Sequence, residues 1–124
     1  MKSKMNELDR QYHSLNCAIT PIKKEEPELA MIQKYIDNTR GYLKCTLLDA
    51  FKLERNGEDA RFNPDKLGNR TLLWHGSRFS NYVGILSQGL RIAPPEAPST
   101  GYLFGKGIYM ADMLGKAGHY TSYH

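Results

Sequence analysis

LWHGSR, residues 73–78, places the chain's single tryptophan beside a histidine, a glycine and a serine. The stretch follows the apolar Leu72, so one interpretation is a buried strand whose histidine is satisfied in the core. The other is the floor of a binding site, because Gly76 breaks the strand and leaves a backbone N–H and C=O with which a flat carboxamide can pair. Ser77 adds a hydroxyl, and His75 can donate to or accept from a sugar hydroxyl. The spacing alone leaves both interpretations open.

Short strands and helices alternate downstream of this stretch. Residues 71–75 read as a strand that is apolar on both faces. A helix is expected after Ser80 or Asn81 as its cap, with Gly89 at its left-handed terminus. The remaining expectations are, in chain order, a strand at 90–92, a loop at 93–104, a strand at 108–111, and a helix capped by Asp112 that presents Met113, Lys116, Ala117 and Tyr120 on one face.

Upstream, the apolar spacing changes from helical to alternating. Between Pro27 and Gly41, apolar residues recur at helical spacing. Residues 43–53 then alternate, which predicts a half-buried strand. Asn-Gly at 56–57 is a strong hairpin signal, so a second strand is expected to return through residues 60–62. The elements together predict an α+β domain, and its incomplete sheet predicts a truncated chain.

The composition restricts the class of protein. The 124 residues fit one domain, and 40% hydrophobic residues are enough for a modest core. No stretch approaches the roughly 20 apolar residues that a membrane span needs, so no membrane partner is expected. The net charge of +4 favours polyanionic partners only weakly, because basic and acidic residues are interspersed. Cys17 and Cys45 stand far apart, which indicates buried thiols in a reducing compartment and no metal site.

Two further groups near the end of the chain could carry chemistry. Residues 105–107, Gly-Lys-Gly, look like the start of a dinucleotide fingerprint, but Met110 stands where its third glycine belongs. The two glycines therefore predict a loop hinge. Tyr102, Tyr109 and Tyr120 could sandwich a planar heterocycle or could be ordinary amphipathic core residues. No GxSxG elbow is present, so a serine nucleophile is a poor fit.

These motifs resemble those of the poly(ADP-ribose) polymerases. Residues 72–98, LLWHGSRFSNYVGILSQGLRIAPPEAP, are similar to the donor-site segment of that family, and TGYLFGKGIYMADM at 100–113 continues the match at the family's spacing. Upstream, YHSLNCAITPI and LLDAFKLERNGE resemble the opening of its catalytic domain. The resemblance covers nearly the whole chain and is closest to the DNA-damage-responsive members. It implies an α+β ADP-ribosyltransferase-like fold, with packed antiparallel sheets and flanking helices around a cleft for NAD. Residues 1–27 would be a lead-in and connector, and residues 28–124 the donor-site half.

The resemblance also implies roles for single residues. His75 would contact a ribose hydroxyl on the adenosine side, and Gly76 would hold the nicotinamide carboxamide through its backbone, with Ser77 assisting. His75 and Tyr109 match two members of the family's catalytic His-Tyr-Glu triad. The other matches are Tyr109 and Tyr120, which sandwich the nicotinamide ring, Gly84 and Arg91, which line the adenosine part, and the covering loop at 93–104, which contains Tyr102.

The implied activity is transfer of ADP-ribose from NAD to protein acceptors, including the protein itself, with release of nicotinamide. The resemblance also implies a nuclear location and a part in DNA repair. Sensing of DNA breaks would belong to regions outside this chain.

Two positions depart from the family's pattern. Ala117 stands where the family commonly has a serine that helps to bind the carboxamide, so weaker donor binding is expected. No carboxylate follows Asp112, so the triad glutamate is expected further downstream than His124. The chain alone is therefore expected to be inactive. The alternative is a catalytically dead, truncated module that binds NAD or another partner.

Overall fold

A computed structural model describes residues 4–97 and 102–121. The described part combines five α-helices with two antiparallel strands, which confirms the mixed α+β class. In chain order these elements are α1 (Glu7–Ser14), β1 (Cys17–Pro21), α2 (Pro27–Thr39), β2 (Phe51–Arg55), α3 (Glu58–Arg61), α4 (Tyr82–Gln88) and α5 (Leu114–Ala117). Short 3-10 helices lie at Pro64–Lys66, Phe79–Asn81 and Gly118–Tyr120.

The first two helices begin at residues that suit a helix start. The side chain of Asn6 accepts a hydrogen bond of 2.8 Å from the N–H of Asp9 at the start of α1. Pro27 occupies the first turn of α2, where the missing N–H has no consequence. The helix predicted after Pro27 is therefore confirmed, and it ends at Thr39, just before Gly41.

The two strands pair over five residues, from Cys17 opposite Arg55 to Pro21 opposite Phe51. The partner of β2 is therefore β1, which lies inside the stretch predicted to be a lead-in and connector. The strand predicted over 43–53 is wrong over residues 43–50, because the ladder ends soon after Pro21. One further hydrogen bond, from the N–H of Ile22 to the carbonyl of Ala50, closes it.

The hairpin predicted at Asn56-Gly57 is also wrong. Gly57 does turn the chain, with φ +77°, but α3 follows instead of a returning strand. The N–H of Asn56 is bonded to the carbonyl of Asn16, so the ladder of β2 continues toward β1. The carboxylate of Glu58, the first residue of α3, pairs with the guanidinium of Arg55, the last residue of β2, across the turn at Asn56 and Gly57.

The strands predicted near the tryptophan and near the end of the chain reduce to one bridge. Trp74 pairs with Ala111 through backbone hydrogen bonds of 2.7 and 2.9 Å, and residues 90–92 form no strand. Leu72 and Leu73 are 61% and 41% exposed, so the interpretation of this stretch as a buried strand is wrong at these two residues. Within the described ranges, no second strand extends the bridge and covers them.

The helix after Tyr82 was predicted correctly, but its cap was not. Gly89 follows α4 with φ +80°, as expected for a left-handed terminus. Asn81 precedes the helix, yet its side chain does not cap it and instead donates to Ser77. The cap predicted for the last helix at Asp112 is wrong as well, because the first N–H of α5 is bonded by Thr39 from a distant part of the chain.

Few apolar side chains are buried. Within the described ranges, the buried hydrophobic residues are Cys17, Ile36 and Ala117. Both cysteines are free thiols, but only Cys17 is buried, so the prediction of two buried thiols is wrong for Cys45. Cys45 lies in the stretch before β2, which pairs with no strand of the described part of the chain.

The described residues contain neither a membrane-spanning helix nor a candidate metal cluster. No helix there is long and apolar enough to cross a membrane. No group of three or more His, Cys, Asp or Glu side chains there is arranged to hold a metal ion.

Candidate functional site

Thr39, the last residue of α2, ties three segments together next to the LWHGSR stretch. Its hydroxyl oxygen accepts hydrogen bonds of 3.2 Å from the indole N–H of Trp74 and of 3.2 Å from the N–H of Leu114. The same hydroxyl donates to the carbonyl of Tyr35 at 2.7 Å. A threonine hydroxyl has one hydrogen and two lone pairs, so these three bonds use the full hydrogen-bonding capacity of the Thr39 hydroxyl. This one side chain therefore fixes α2, the bridge residue Trp74 and the start of α5 relative to one another.

Trp74 faces α2. Its indole stacks on the ring of Tyr35 with centroids 4.8 Å apart and planes inclined by 26°. The hydroxyl of Tyr35 donates to the carbonyl of Leu72 at 2.8 Å, which holds the chain on both sides of Leu73. Trp74 therefore anchors the LWHGSR stretch on α2, since both its ring and its N–H are used for packing.

The tautomer of His75 follows from its hydrogen bond to Tyr109. Its Nδ1 lies 2.9 Å from the backbone carbonyl of Tyr109. A carbonyl oxygen can only accept, so Nδ1 carries the hydrogen and Nε2 of the neutral ring is an acceptor. The side chain is exposed, and its Nε2 can accept a hydrogen bond from a sugar hydroxyl.

Gly76 lies against the backbone of α5. A Cβ built on Gly76 would overlap the carbonyl oxygen of Ala117 and would lie 3.3 Å from the Cγ2 of Thr121. A glycine is therefore required here by the close approach of the Ala117 backbone. Within residues 4–97 and 102–121, neither the N–H nor the C=O of Gly76 has a hydrogen-bond partner. The residue therefore presents one backbone donor and one backbone acceptor.

Ser77 is held by a residue that the sequence interpretation considered only as a helix cap. The side-chain amide of Asn81 donates to the hydroxyl oxygen of Ser77 at 3.0 Å. The hydrogen of the Ser77 hydroxyl has no acceptor in the part of the chain that the structure describes. Ser77 is therefore positioned as a donor.

Lys106 closes the loop that was predicted at 93–104. Its ammonium donates to the carbonyls of Pro94 at 2.6 Å, Pro95 at 2.9 Å and Ala97 at 2.6 Å. Three donors meet three acceptors, so the side chain satisfies backbone groups that a loop leaves open. Residues 98–101, the middle of the loop, lie outside the described residues. Sequence reasoning missed this role, although a lysine between two glycines after a proline-rich loop was noticed.

Tyr109 joins His75 to the end of the same loop. Its hydroxyl accepts from the N–H of Phe104 at 3.1 Å and donates to the carbonyl of Gly105 at 2.5 Å. Its ring lies 5.8 Å from the ring of Tyr102, at an interplanar angle of 50°. Gly105 has φ +86°, a left-handed conformation that glycine adopts without strain.

The structure brings some of the predicted site residues together and leaves others apart. His75, Gly76 and Ser77 are adjacent in the chain, and His75 is bonded to Tyr109, which contacts Tyr102. Among the described residues, three further predicted site residues make no hydrogen bond or ring contact with that group, namely Gly84 in α4, Arg91 after α4, and Tyr120, whose side chain is 59% exposed.

Comparison with known proteins gives this arrangement a context. The family model for the poly(ADP-ribose) polymerase catalytic domain matches residues 26–124, which include all of the site residues named above. The chain is 52% identical over 124 residues to the human protein named poly(ADP-ribose) polymerase 2, covering 97% of this chain.

The chain belongs to the poly(ADP-ribose) polymerase catalytic domain family.

Two other relatives agree with this membership. A poly(ADP-ribose) polymerase of Sarcophaga peregrina is 48% identical over 99% of this chain, and poly(ADP-ribose) polymerase 1 of Arabidopsis thaliana is 50% identical over 91% of it. The chain spans only 21% of the human protein, 13% of the Sarcophaga protein and 12% of the Arabidopsis protein. The resemblance drawn from the sequence motifs is therefore confirmed at the level of the family.

Proposed function

We propose that this segment is the donor-site half of an NAD-dependent protein poly-ADP-ribosyltransferase. The observation that carries the proposal is that, among the described residues, the N–H and C=O of Gly76 have no hydrogen-bond partner, and that Gly76 follows His75, which is bonded to Tyr109. A primary carboxamide has one acceptor and a two-hydrogen donor in one plane, so it can satisfy the N–H and the C=O of Gly76 together. Residues 1–27 would serve as lead-in and connector, and the segment would be part of an ADP-ribosyltransferase fold of two packed antiparallel sheets.

The remaining groups fit the rest of an NAD molecule. The Nε2 of His75 would accept from a ribose hydroxyl, and the hydroxyl of Ser77 would donate toward the ligand. Tyr109 supplies an aromatic face for the nicotinamide ring, and we propose Tyr120 for the other face. Gly84 and Arg91 are proposed for the adenosine side, where the guanidinium of Arg91 can bind phosphate or ribose oxygens. Tyr102 belongs to the covering loop.

The proposed reaction balances as a substitution at the nicotinamide ribose. An acceptor oxygen on a protein side chain forms a bond to the anomeric carbon, and the bond from that carbon to the pyridinium nitrogen breaks. Nicotinamide leaves as a neutral molecule because its nitrogen takes the bonding electron pair, and the acceptor's proton is released. The protein itself would be among the acceptors.

A carboxylate is needed to stabilise the positive charge that develops on the ribose. No Asp or Glu follows Asp112 in this chain. We propose that a glutamate outside these 124 residues completes the triad with His75 and Tyr109, and that the segment alone does not transfer ADP-ribose. We also propose a nuclear location and a part in DNA repair, as the family resemblance implies. Sensing of DNA breaks would lie outside the segment.

The lack of an Asp or Glu after Asp112 favours a second candidate function. A chain that supplies the donor contacts without a carboxylate could bind NAD or a partner and catalyse nothing. The two candidates differ in one measurable quantity, which is the release of nicotinamide by the complete protein that carries this segment.

The test incubates the complete protein, its His75→Ala variant and the 124-residue segment with NAD labelled in the adenylate part. We expect the complete protein to release nicotinamide and to become labelled, the variant to lose most of the label, and the segment to remain unlabelled. Labelling of the segment alone would show that no outside glutamate is needed. Binding of NAD by the complete protein without nicotinamide release would establish the second candidate instead.

A further inference from the structure

Among the described residues, Tyr109 is bonded both to a site residue and to the covering loop. Its backbone carbonyl fixes Nδ1 of His75 at 2.9 Å. Its hydroxyl, at the other end of the side chain, contacts the backbone of Phe104 and Gly105. A tyrosine needed only as a stacking surface would require neither contact, because stacking uses the ring face.

The direction of both hydroxyl hydrogen bonds is settled by their backbone partners. The N–H of Phe104 can only donate, so the Tyr109 oxygen accepts there at 3.1 Å. The carbonyl of Gly105 can only accept, so the Tyr109 O–H donates there at 2.5 Å. The single hydrogen of this hydroxyl is therefore committed to Gly105, and it is not available for proton transfer to a bound molecule.

The turn that this hydroxyl holds also contains the second aromatic ring. The N–H of Gly105 is bonded to the carbonyl of Tyr102 at 3.4 Å, and Gly105 adopts φ +86°. A fixed turn at 102–105 therefore fixes Tyr102 relative to Tyr109, whose rings are 5.8 Å apart. The next residue, Lys106, binds the carbonyls at the other end of the loop, so the turn lies between two points of attachment.

We propose that the Tyr109 hydroxyl is a positioning group that locks the 102–105 turn and thereby presets the Tyr109 ring, with Tyr102 at its side, as one face for a planar ring. This rests on the proposed function in one respect, namely that the planar ring is a nicotinamide-type carboxamide. The hydroxyl takes no part in proton chemistry. Its removal changes how well the ring-binding surface is formed before the ligand arrives, and preorganisation of this kind is expressed mainly in affinity.

The experiment compares Tyr109→Phe with Tyr42→Phe in the complete protein. Tyr109→Phe keeps the ring and removes both loop hydrogen bonds, whereas Tyr42 is fully exposed and has no hydrogen bond within the described ranges. Three quantities are measured: the affinity for benzamide, the affinity for ADP-ribose, which lacks the carboxamide ring, and the hydrogen-exchange protection of the Phe104 amide. The KM and kcat for NAD are measured in addition.

We expect Tyr109→Phe to weaken benzamide binding and raise KM by about tenfold, the effect of roughly one to two net hydrogen bonds. The kcat should change by less than about twofold, because a group that only positions the ring acts through binding. The Phe104 amide should lose protection, and the affinity for ADP-ribose should stay the same. Tyr42→Phe should match the parent protein throughout. A second variant, Gly105→Ala, should reproduce the loss of benzamide affinity with Tyr109 intact, since alanine is strained at φ +86°.

Two results would overturn the proposal. One is unchanged benzamide affinity together with unchanged Phe104 protection in Tyr109→Phe. The other is a large fall in kcat with benzamide affinity preserved, which would assign proton chemistry to the hydroxyl. If the parent protein binds neither benzamide nor ADP-ribose while Tyr109→Phe still loses Phe104 protection, the lock is upheld and the proposed function fails.

Discussion

The junction formed by Thr39, Trp74, Gly76 and Ala117 differs from the two-stranded sheet in how its contacts are made. At the junction, small residues bring backbone groups close together, and a Cβ on Gly76 would overlap the carbonyl of Ala117. In the sheet, the side chains of Phe51 and Leu53 remain about half exposed, and Lys52 pairs with two glutamates in contact with water. We therefore expect substitutions of the small residues at the junction to cost the most stability. Substitutions of the charged residues on the sheet should cost the least.

The two regions differ in tolerance because their contacts replace different interactions with water. An exposed ion pair replaces hydration that both charges already had, so it contributes little. A close backbone contact cannot be relieved by a side chain moving away, and a part-buried N–H without an acceptor loses its hydrogen bond outright. The site residues His75 to Ser77 lie at the junction, so their geometry depends on the less tolerant of the two regions.

Gly76→Ala should have the largest effect. The added methyl overlaps a backbone oxygen that belongs to α5, so either the His75–Ser77 stretch or α5 must shift, at a cost of about 3 kcal/mol of unfolding free energy. The midpoint of thermal unfolding measures this loss. Gly68→Ala is the matched control, because a Cβ there meets open space. Equal midpoints for the two variants would mean that the junction is as tolerant as an exposed loop.

Thr39→Val should come next. Valine keeps the shape of threonine but leaves the indole N–H of Trp74 and the N–H of Leu114 without their acceptor. Both groups are part-buried, so we expect a loss of about 2 kcal/mol in the free energy of unfolding. Chemical denaturation followed by tryptophan fluorescence reports on Trp74 directly. Thr46→Val is the control, because Thr46 is exposed in the stretch before β2, and this variant should leave the free energy of unfolding nearly unchanged. An equal loss in both variants would mean that the hydrogen bonds at the junction are not its cause.

Ala117→Ser tests the side of the junction that carries the proposed donor site. Ala117 is buried beside Gly76, where a serine hydroxyl could donate to a carboxamide held by the Gly76 backbone. One added hydrogen bond of about 1 kcal/mol corresponds to roughly fivefold tighter donor binding. A titration of the complete protein with NAD or benzamide measures the gain, and the exposed Ala60→Ser serves as control. No gain would mean that position 117 does not reach the ligand.

The elements that could be predicted from the sequence are those set by nearby residues. The helix after Pro27 and the left-handed Gly89 depend on spacing and backbone preference within one or two turns. The family resemblance of the HGS and GKGIY motifs likewise lies in short continuous stretches. Each was predictable without knowing what the residues would contact.

The features that could not be predicted depend on partners distant in the chain. The strand that pairs with β2 comes from residues 17–21, across the whole of α2, whereas Asn56-Gly57 indicated a neighbour only a few residues away. The cap of α5 comes from Thr39, 75 residues before Leu114, so the local candidate Asp112 was misleading. The three carbonyls on Lys106 are backbone groups, which leave no trace in the pattern of side chains.

Glu28→Gln should have the smallest effect, and its pH dependence tests the sheet side of the comparison. Hydrogen bonding from its own backbone N–H at the start of α2 lowers the pKa of Glu28 from its ordinary value of 4.5, and the Lys52 ammonium lowers it further. Because the folded-state pKa is the lower one, the stabilisation is fully present above about pH 4.5 and is lost as the pH falls through the folded-state pKa. The pKa of Lys52 is raised, chiefly by its hydrogen bond to Glu28, so its own contribution is lost only as the pH rises through that raised value.

Unfolding of the parent protein and of Glu28→Gln, compared between about pH 3 and pH 7, should show a small difference at neutral pH that vanishes in acid. Glu25→Gln is the control, because it removes the same charge at an exposed position outside the Lys52 pairs. Its difference from the parent protein should not vanish in acid. Parallel pH profiles for the two variants would mean that the Glu28–Lys52 pair does not help to hold α2 to β2.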